Sequence, residues 1–354
     1  MMTGFRCVGK SAALALAMLA APVTAQDKPA AALAPSEIVA AAPRTDWTAI
    51  APSDLLVMDL APDAKGKARR IVIQLMPAPF SQGWIGNIRK LAAAHFWDGL
   101  SVNRVQDNYV VQWGDADGED KAKARKLPDG LMTMPESAYL TPNYVAARGG
   151  VAKTIPPVVM SNFSDLYVNP EGPNVLQSGG WSGFSMGWPV AVLPMNPRSG
   201  KEDSYTDVTG RQVGTMWPVH CYGMVGVGRN MSPDTGSGAE LYTVIGHAPR
   251  HLDRNIALVG RVVEGIEHLS SLPRGTEALG VYKTPEERTP IQSVRIGTEV
   301  SGLPAYEYLS TESESFARYA DARANRRDAF FIRPAGGADV CNIPVPVRRS
   351  AGAR

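Results

Sequence analysis

Between Asp54 and Asp115 the chain switches hydrophobic period every few residues, and this alternation restricts its fold more than any other feature. The runs "DLLVMDL" (54–60) and "RIVIQLM" (70–76) are β-rich and are joined by "APDAKGKAR", a turn containing Gly66. Such a pair reads as a hairpin. From Pro79 the period lengthens, with Trp84, Ile85, Ile88 and Leu91 on one helical face and Ala92–Ala94 extending the helix to about His95. Two strands follow, Ser101–Val105 and Tyr109–Trp113, across the polar turn Gln106–Asn108. Strand-like runs return at Val219–Val227, Leu241–Ile245, Ile256–Val263 and Ile291–Gly297, with Val263–Leu272 as a second short amphipathic helix. Tight turns, not helices, connect most of these strands. The chain is therefore expected to be mainly β, with two helices and mostly antiparallel pairing.

The remaining segments differ in texture. Residues 116–217 are rich in Pro and Gly and include "SGGWSGFSMGWPV". With no helical period and no strand alternation, they read as a long insertion into a domain spanning 51–300. Residues 26–50 are Ala/Pro-rich and read as a tether. The extension 301–354 contains "TESESFARYADARANRR" (311–327), where Thr311 and Glu314 have the spacing of a capping box. Phe316, Tyr319, Ala320 and Ala324 give that helix an apolar stripe, and its charges alternate in sign. It reads as a docked helix, followed by the strand-like "DAFFIRP" (328–334).

The first 25 residues have the layout of a signal peptide. Arg6 and Lys10 precede the apolar run "SAALALAMLAA" (11–21), and Val23-Thr24-Ala25 predicts cleavage after Ala25. An exported, periplasmic protein is expected. The apolar run is too short to span a bilayer, and no later stretch approaches the ~20 apolar residues required. Losing Arg6 and Lys10 from 36 basic residues would leave 34 against 34 acidic ones. This balance excludes the one-sided basic field of a nucleic-acid binder. Cys221 and Cys341 would be the two remaining cysteines. In an oxidising compartment they suggest one disulfide, the alternative being two unrelated buried thiols.

Two catalytic motifs can be weighed directly. "GFSMG" (183–187) fits G-x-S-x-G, but Pro189 opposes the helix that must follow a nucleophilic serine. A glycine-aromatic loop around Ser185 is the better reading. His247, His251 and Asp253 have the spacing of metal ligands on a helix, but Pro249 lies between the histidines. Neither a metal nor a cofactor is expected.

The run "HFWDGLSVNRVQDNYVVQWGD" (95–115) resembles the first signature of the cyclophilin-type peptidyl-prolyl isomerases. The segments "GMVGVGRNMSPDTGSGAELYTVIG" (223–246) and "HLDRNIALVGRVVEGIEHL" (251–269) are similar to that family's second signature and the strand and helix after it. The resemblance implies a closed eight-stranded antiparallel barrel capped by two helices, acting on proline-containing polypeptides. It implies catalysis by Arg104, with Gln112 orienting the substrate, and a proline pocket of Tyr109, Val110, Tyr242 and Leu252. Around that pocket the rim departs from the family pattern. Gly228-Arg229 stands for the usual Ala-Asn, Glu240 for a Gln, His251 for a common Trp and Ile256 for a His. These four rim positions, Gly228, Arg229, Glu240 and His251, are the remaining candidate substrate contacts. The family's rim Trp donates its indole N–H to cyclosporin-type inhibitors, which His251 cannot reproduce. A non-catalytic peptide-binding or chaperone module is the competing reading.

Overall fold

A computed structural model describes residues 32–143, 159–160, 181–193, 205–206 and 212–350. The expected leader, residues 1–25, and the start of the expected tether lie outside them. The rest of that tether is folded, which corrects the expectation. Helix α1 (Pro35–Ala41) begins at a proline in its first turn and buries Ile38. Strand β1 (Trp47–Ile50) then buries its two end residues. Their partners come from the far end of the chain, so no local period could reveal them.

Strands β2 (Leu55–Leu60) and β3 (Arg69–Leu75) form the expected hairpin, pairing Leu55 with Gln74 and Leu60 with Arg69. Helix α2 (Gln82–Ala93) buries Trp84, Ile85, Ile88 and Leu91. It stops two residues short of His95, which adopts a left-handed φ of 55° that no α-helix continues. Strands β4 (Ser101–Val105) and β5 (Val110–Gly114) form the second hairpin.

The insertion carries more order than its composition suggests. Its short strands β6 (Thr141–Asn143), β7 (Val159–Met160), β8 (Trp181–Ser185), β9 (Trp188–Leu193), β10 (Tyr205–Thr206) and β11 (Gln212–Pro218) build a second sheet. The order is β10-β11-β9-β8-β7, with β6 also on β11. "GFSMG" is therefore no loose loop: it is the tip of the β8–β9 hairpin. Met186 and Gly187 have φ of 53° and 83°. Positive φ at both central residues is the two-residue turn whose twist suits a hairpin. Ser185 is fully buried, with strand on both sides of the turn, and cannot serve as a nucleophile.

The chain then returns to the barrel with β12 (Met224–Val227), β13 (Leu241–Val244) and β14 (Leu258–Glu264). Helix α3 (Glu267–Ser270) is shorter than expected. Strand β14 runs on to Glu264, and Gly265 turns at φ +85°, where a Cβ would strike the Arg70 carbonyl oxygen. Strand β15 (Thr289–Ile296) pairs with β2 on one side and β4 on the other. This closes an eight-stranded antiparallel barrel in the order β12-β13-β5-β4-β15-β2-β3-β14. Helix α2 packs on it at β15 and α3 at β3.

The extension wraps back to the N-terminus. Strand β16 (Tyr306–Leu309) pairs with β1, helix α4 (Glu314–Ala324) packs on α1, and β17 (Val347–Arg349) completes a three-stranded sheet. Phe316, Tyr319, Ala320 and Ala324 are buried, as their spacing predicts. The cap differs from expectation: Ser313, not Thr311, accepts the Phe316 N–H at 3.1 Å. Thr311 instead accepts the Gly187 N–H at 3.0 Å. "DAFFIRP" is not a strand, and Phe330 and Ile332 are exposed. Beyond it Cys341 is disulfide-bonded to Cys221, with Cα atoms 5.0 Å apart. No helix among the described residues is long and apolar enough to cross a membrane.

One buried cation joins barrel, insertion and extension. Arg261, on β14, donates to Gln74 Oε1 from Nε at 3.0 Å and Nη2 at 2.8 Å, and from Nη1 to the Gly187 carbonyl at 2.7 Å. Its guanidinium lies 4.5 Å from the Trp188 ring centroid and 5.6 Å from that of Tyr308. Burial lowers its pKa to about 10, which leaves it charged at neutral pH. Arg261→Ala should lower unfolding free energy by about 3 kcal/mol, because it removes charged hydrogen bonds and leaves buried acceptors unpaired. Chemical denaturation measures this; a loss under about 0.5 kcal/mol, the range of ordinary surface substitutions, would deny Arg261 that role.

Candidate active site

The barrel interior is filled by inward residues such as Val102, Val111, Trp113 and Leu241, all buried in the main core. Because side chains alternate along a strand, their neighbours face outward. On the outer surface of β4, β5, β13 and β12 this produces one continuous row. Arg104 is directly opposite Gln112, Gln112 opposite Tyr242, and Tyr242 opposite Gly226. A register shift between Val102 and Arg104 on β4 brings Arg104 into that row.

The row begins with a fixed cation. Arg104 is half-buried and donates through Nη1 to Gln112 Oε1 at 3.0 Å, through Nε to the Leu279 carbonyl at 2.7 Å, and through Nη2 to Gln106 Oε1. All three acceptors are neutral oxygens. Burial depresses the guanidinium pKa, and the fields of Tyr109 and Glu240 oppose that shift. The Leu279 carbonyl is delivered by a loop running beside β4, bridged to Arg104 through Val281. Leu279 itself has a left-handed φ of 60°, uncommon for a branched side chain.

Beside the cation lies an apolar cluster, the candidate hollow for a proline ring. Val110, Tyr242 and Val244 form a small buried cluster outside the main core, with Tyr109, Leu252 and Ile256 packed against it. The four residues expected to line a proline pocket are thus brought together, and Val244 and Ile256 join them. The exposed His251 ring stacks on Tyr109, with centroids 6.2 Å apart and planes 11° from parallel. Gly226 is required beneath Tyr242, because a Cβ there would overlap the tyrosine Cζ and hydroxyl. The sequence carried a trace of this: a glycine inside a strand often marks a close approach.

On the other side of Arg104 and Gln112 is a polar cavity of about 620 Å³. Gly228, Arg229, Glu240 and Leu279 help to line it. Arg229 is tied to the carbonyls of Asn255 at 2.9 Å and Asn230 at 2.6 Å. Burial raises the Glu240 pKa, and its hydrogen bond with Gln112 offsets part of the rise. A Cβ at Gly228 would come within 3.0 Å of Glu240 Cγ. The candidate rim residues therefore divide: Gly228, Arg229 and Glu240 line the cavity, and His251 edges the hollow. Asp253, although close to His251 in sequence, turns inward to His220.

Residues 64–298 match the family model "cyclophilin type peptidyl-prolyl cis-trans isomerase/CLD". No curated protein matches the chain. Among solved structures, the chain is similar to the crystal structure of cyclophilin AquaCyp293 from Hirschia baltica. The two are 20% identical with a TM-score of 0.58, over 86% of this chain and 94% of that one. A cyclophilin-type isomerase from Cryptosporidium parvum, crystallised in the presence of the dipeptide Ala-Pro, is 9% identical. Its TM-score is 0.34 over 68% of this chain and 98% of that one.

Gly226 in the row and Gly86 in helix α2 place opposite demands on an added methyl group. Gly226→Ala should cost about 1–3 kcal/mol, since Tyr242 must move to admit the methyl group. At Gly86, inside α2, a Cβ would meet nothing within 4 Å. Gly86→Ala should be stabilising by about 0.5–1 kcal/mol through helix propensity. Denaturation midpoints of the two variants should therefore move in opposite directions.

Proposed function

Because the chain belongs to the cyclophilin-type peptidyl-prolyl isomerase family, we propose that it interconverts cis and trans X–Pro bonds of exported polypeptides, using Arg104. The barrier to overcome is ~18–20 kcal/mol, set by amide resonance. A turnover of ~10³ per second requires lowering it by roughly 7 kcal/mol. In the twisted amide the prolyl nitrogen regains its lone pair. A guanidinium N–H donated to that nitrogen stabilises the twisted state more than either planar one, which is the condition for catalysis.

The observation that carries this reading is the setting of Arg104. Its charge is held by neutral oxygens beside an apolar hollow of Val110, Tyr242 and Leu252. An ion-paired arginine would have its charge already neutralised. The hollow would hold the proline ring while Gln112 orients the carbonyl on the acyl side, which swings over the polar cavity. No bond to the enzyme forms in this scheme. Export is supported by the leader-like residues 1–25 and by the disulfide, a bond that persists in oxidising compartments.

The altered rim favours one further reading, a peptide-binding or chaperone module with little turnover. Gly228-Arg229, Glu240 and His251 change the surface a peptide meets while leaving the row intact. An isomerisation assay with an X–Pro peptide separates the two. Arg104→Ala should reduce kcat/KM by about 10²-fold or more, near 3 kcal/mol of transition-state stabilisation, with the fold retained. Wild-type turnover in that variant would overturn the mechanism, and a parent chain that binds the peptide without turning it over would establish the binding module. Cyclosporin should bind about 10–100-fold more weakly than to Trp-bearing family members, the worth of one lost hydrogen bond and part of an aromatic contact. Equal affinity in a calorimetric titration would contradict the role given to His251.

A further inference from the structure

Beneath the apolar hollow runs a buried polar chain that the isomerisation scheme does not use. The Tyr242 hydroxyl lies 2.7 Å from His220 Nε2, and the two rings stack with centroids 6.2 Å apart and planes 8° from parallel. His220 Nδ1 lies 2.8 Å from Asp253 Oδ1, which also accepts the His220 backbone N–H at 2.9 Å. Asp253 Oδ2 receives Arg250 Nε at 2.6 Å. His220 is fully buried, and Asp253 and Tyr242 are 3% and 4% exposed. Both ring nitrogens of His220 are therefore within hydrogen-bond distance of a partner, Nδ1 of the carboxylate and Nε2 of the tyrosine hydroxyl.

A phenylalanine ring could floor the hollow with no such chain beneath it. The tyrosine brings a hydroxyl that must be satisfied, and its partner is held by a carboxylate that has a second consequence. Asp253 directly follows Leu252, a wall of the same hollow. One carboxylate thus fixes the floor through His220 and the wall through its own backbone. The chain is clamped from outside as well. Cys221, next to His220, is bonded to Cys341, and Arg250 Nη1 lies 3.6 Å from Asp339 of the same tail.

We propose that His220 and Asp253 are positioning residues for the proline pocket, setting the Tyr242 ring and Leu252 where a proline must fit. This rests on the isomerase reading of the site but assigns roles that the reading itself does not contain. Such residues act on substrate binding, because they neither touch the atoms of the rotating amide nor alter Arg104.

The test is steady-state kinetics on an X–Pro peptide, paired with peptide affinity from an NMR titration. His220→Leu should raise KM and the peptide Kd by about five-fold or more, with kcat changed by less than about two-fold. In the Tyr242→Phe background the same substitution should add less than about two-fold, since the hydroxyl it served is gone. Asp253→Asn should act in the same direction, and it stands in if His220→Leu does not fold. A folded His220 or Asp253 variant with wild-type KM and Kd would overturn the proposal. So would an effect of His220→Leu that is equally large in the Tyr242→Phe background, the mark of a general packing defect. Where the wild-type chain binds the peptide without turning it over, the isomerase reading fails and the affinities alone decide this one. A wild-type chain that neither binds nor turns over the peptide overturns both together.

Discussion

Closure of the barrel is the constraint from which the rest follows. Strand β15 joins β2 on one side and β4 on the other, so none of the eight strands keeps a free edge. An eight-stranded barrel is narrow enough for its own side chains to fill. Trp113, Val111 and Leu241 fill it here. A ligand has no room inside and no edge to extend, so recognition is confined to the outer wall. The row Arg104–Gln112–Tyr242–Gly226 is what that wall offers across four adjacent strands. Its geometry is inherited from strand register and depends little on loops, Leu279 being the main exception.

The additions to the barrel converge on it from both chain ends. The tip of the β8–β9 hairpin meets Arg261 of β14 through the Gly187 carbonyl and Thr311 of the extension through the Gly187 N–H. A side chain at Gly187 would collide with the Tyr308 ring, so the turn glycine serves both its own backbone and the docking. The N-terminal β1 is held against β16, with the Arg348 guanidinium 3.6 Å from the Trp47 ring centroid. The segments that looked peripheral in sequence are therefore packed against one another as well as against the barrel.

What could be read in advance divides along the same line. The barrel strands and α2 were legible because each buries a face of its own, which leaves a period in the sequence. Residues 35–50 were not, since Ile38, Trp47 and Ile50 are too few to set a period and are buried by α4 and β16. The insertion's strands were masked by the Gly and Pro that their tight turns and close packing require. The start of α3 was set by a close approach of Gly265 to Arg70, a tertiary fact. Among the candidate site residues, Arg104, Gln112 and the apolar four could be singled out by resemblance to a family. Gly226 left a faint local signal, but His220 left none, because a lone histidine before a cysteine carries no indication of a tyrosine 22 positions later.

The disulfide has a consequence for how the chain would respond to cutting. Residues 329–336 carry the exposed Phe330 and Ile332 and belong to no helix or strand, the kind of segment proteases prefer. A nick there would not release the tail. Cys341 would still be joined to Cys221, and β17 would remain paired with β16. Such a protein would migrate as a single covalent species until reduced, and only then separate into a large fragment and a short one. Integrity judged under reducing conditions alone would thus understate how much of this molecule is still held together.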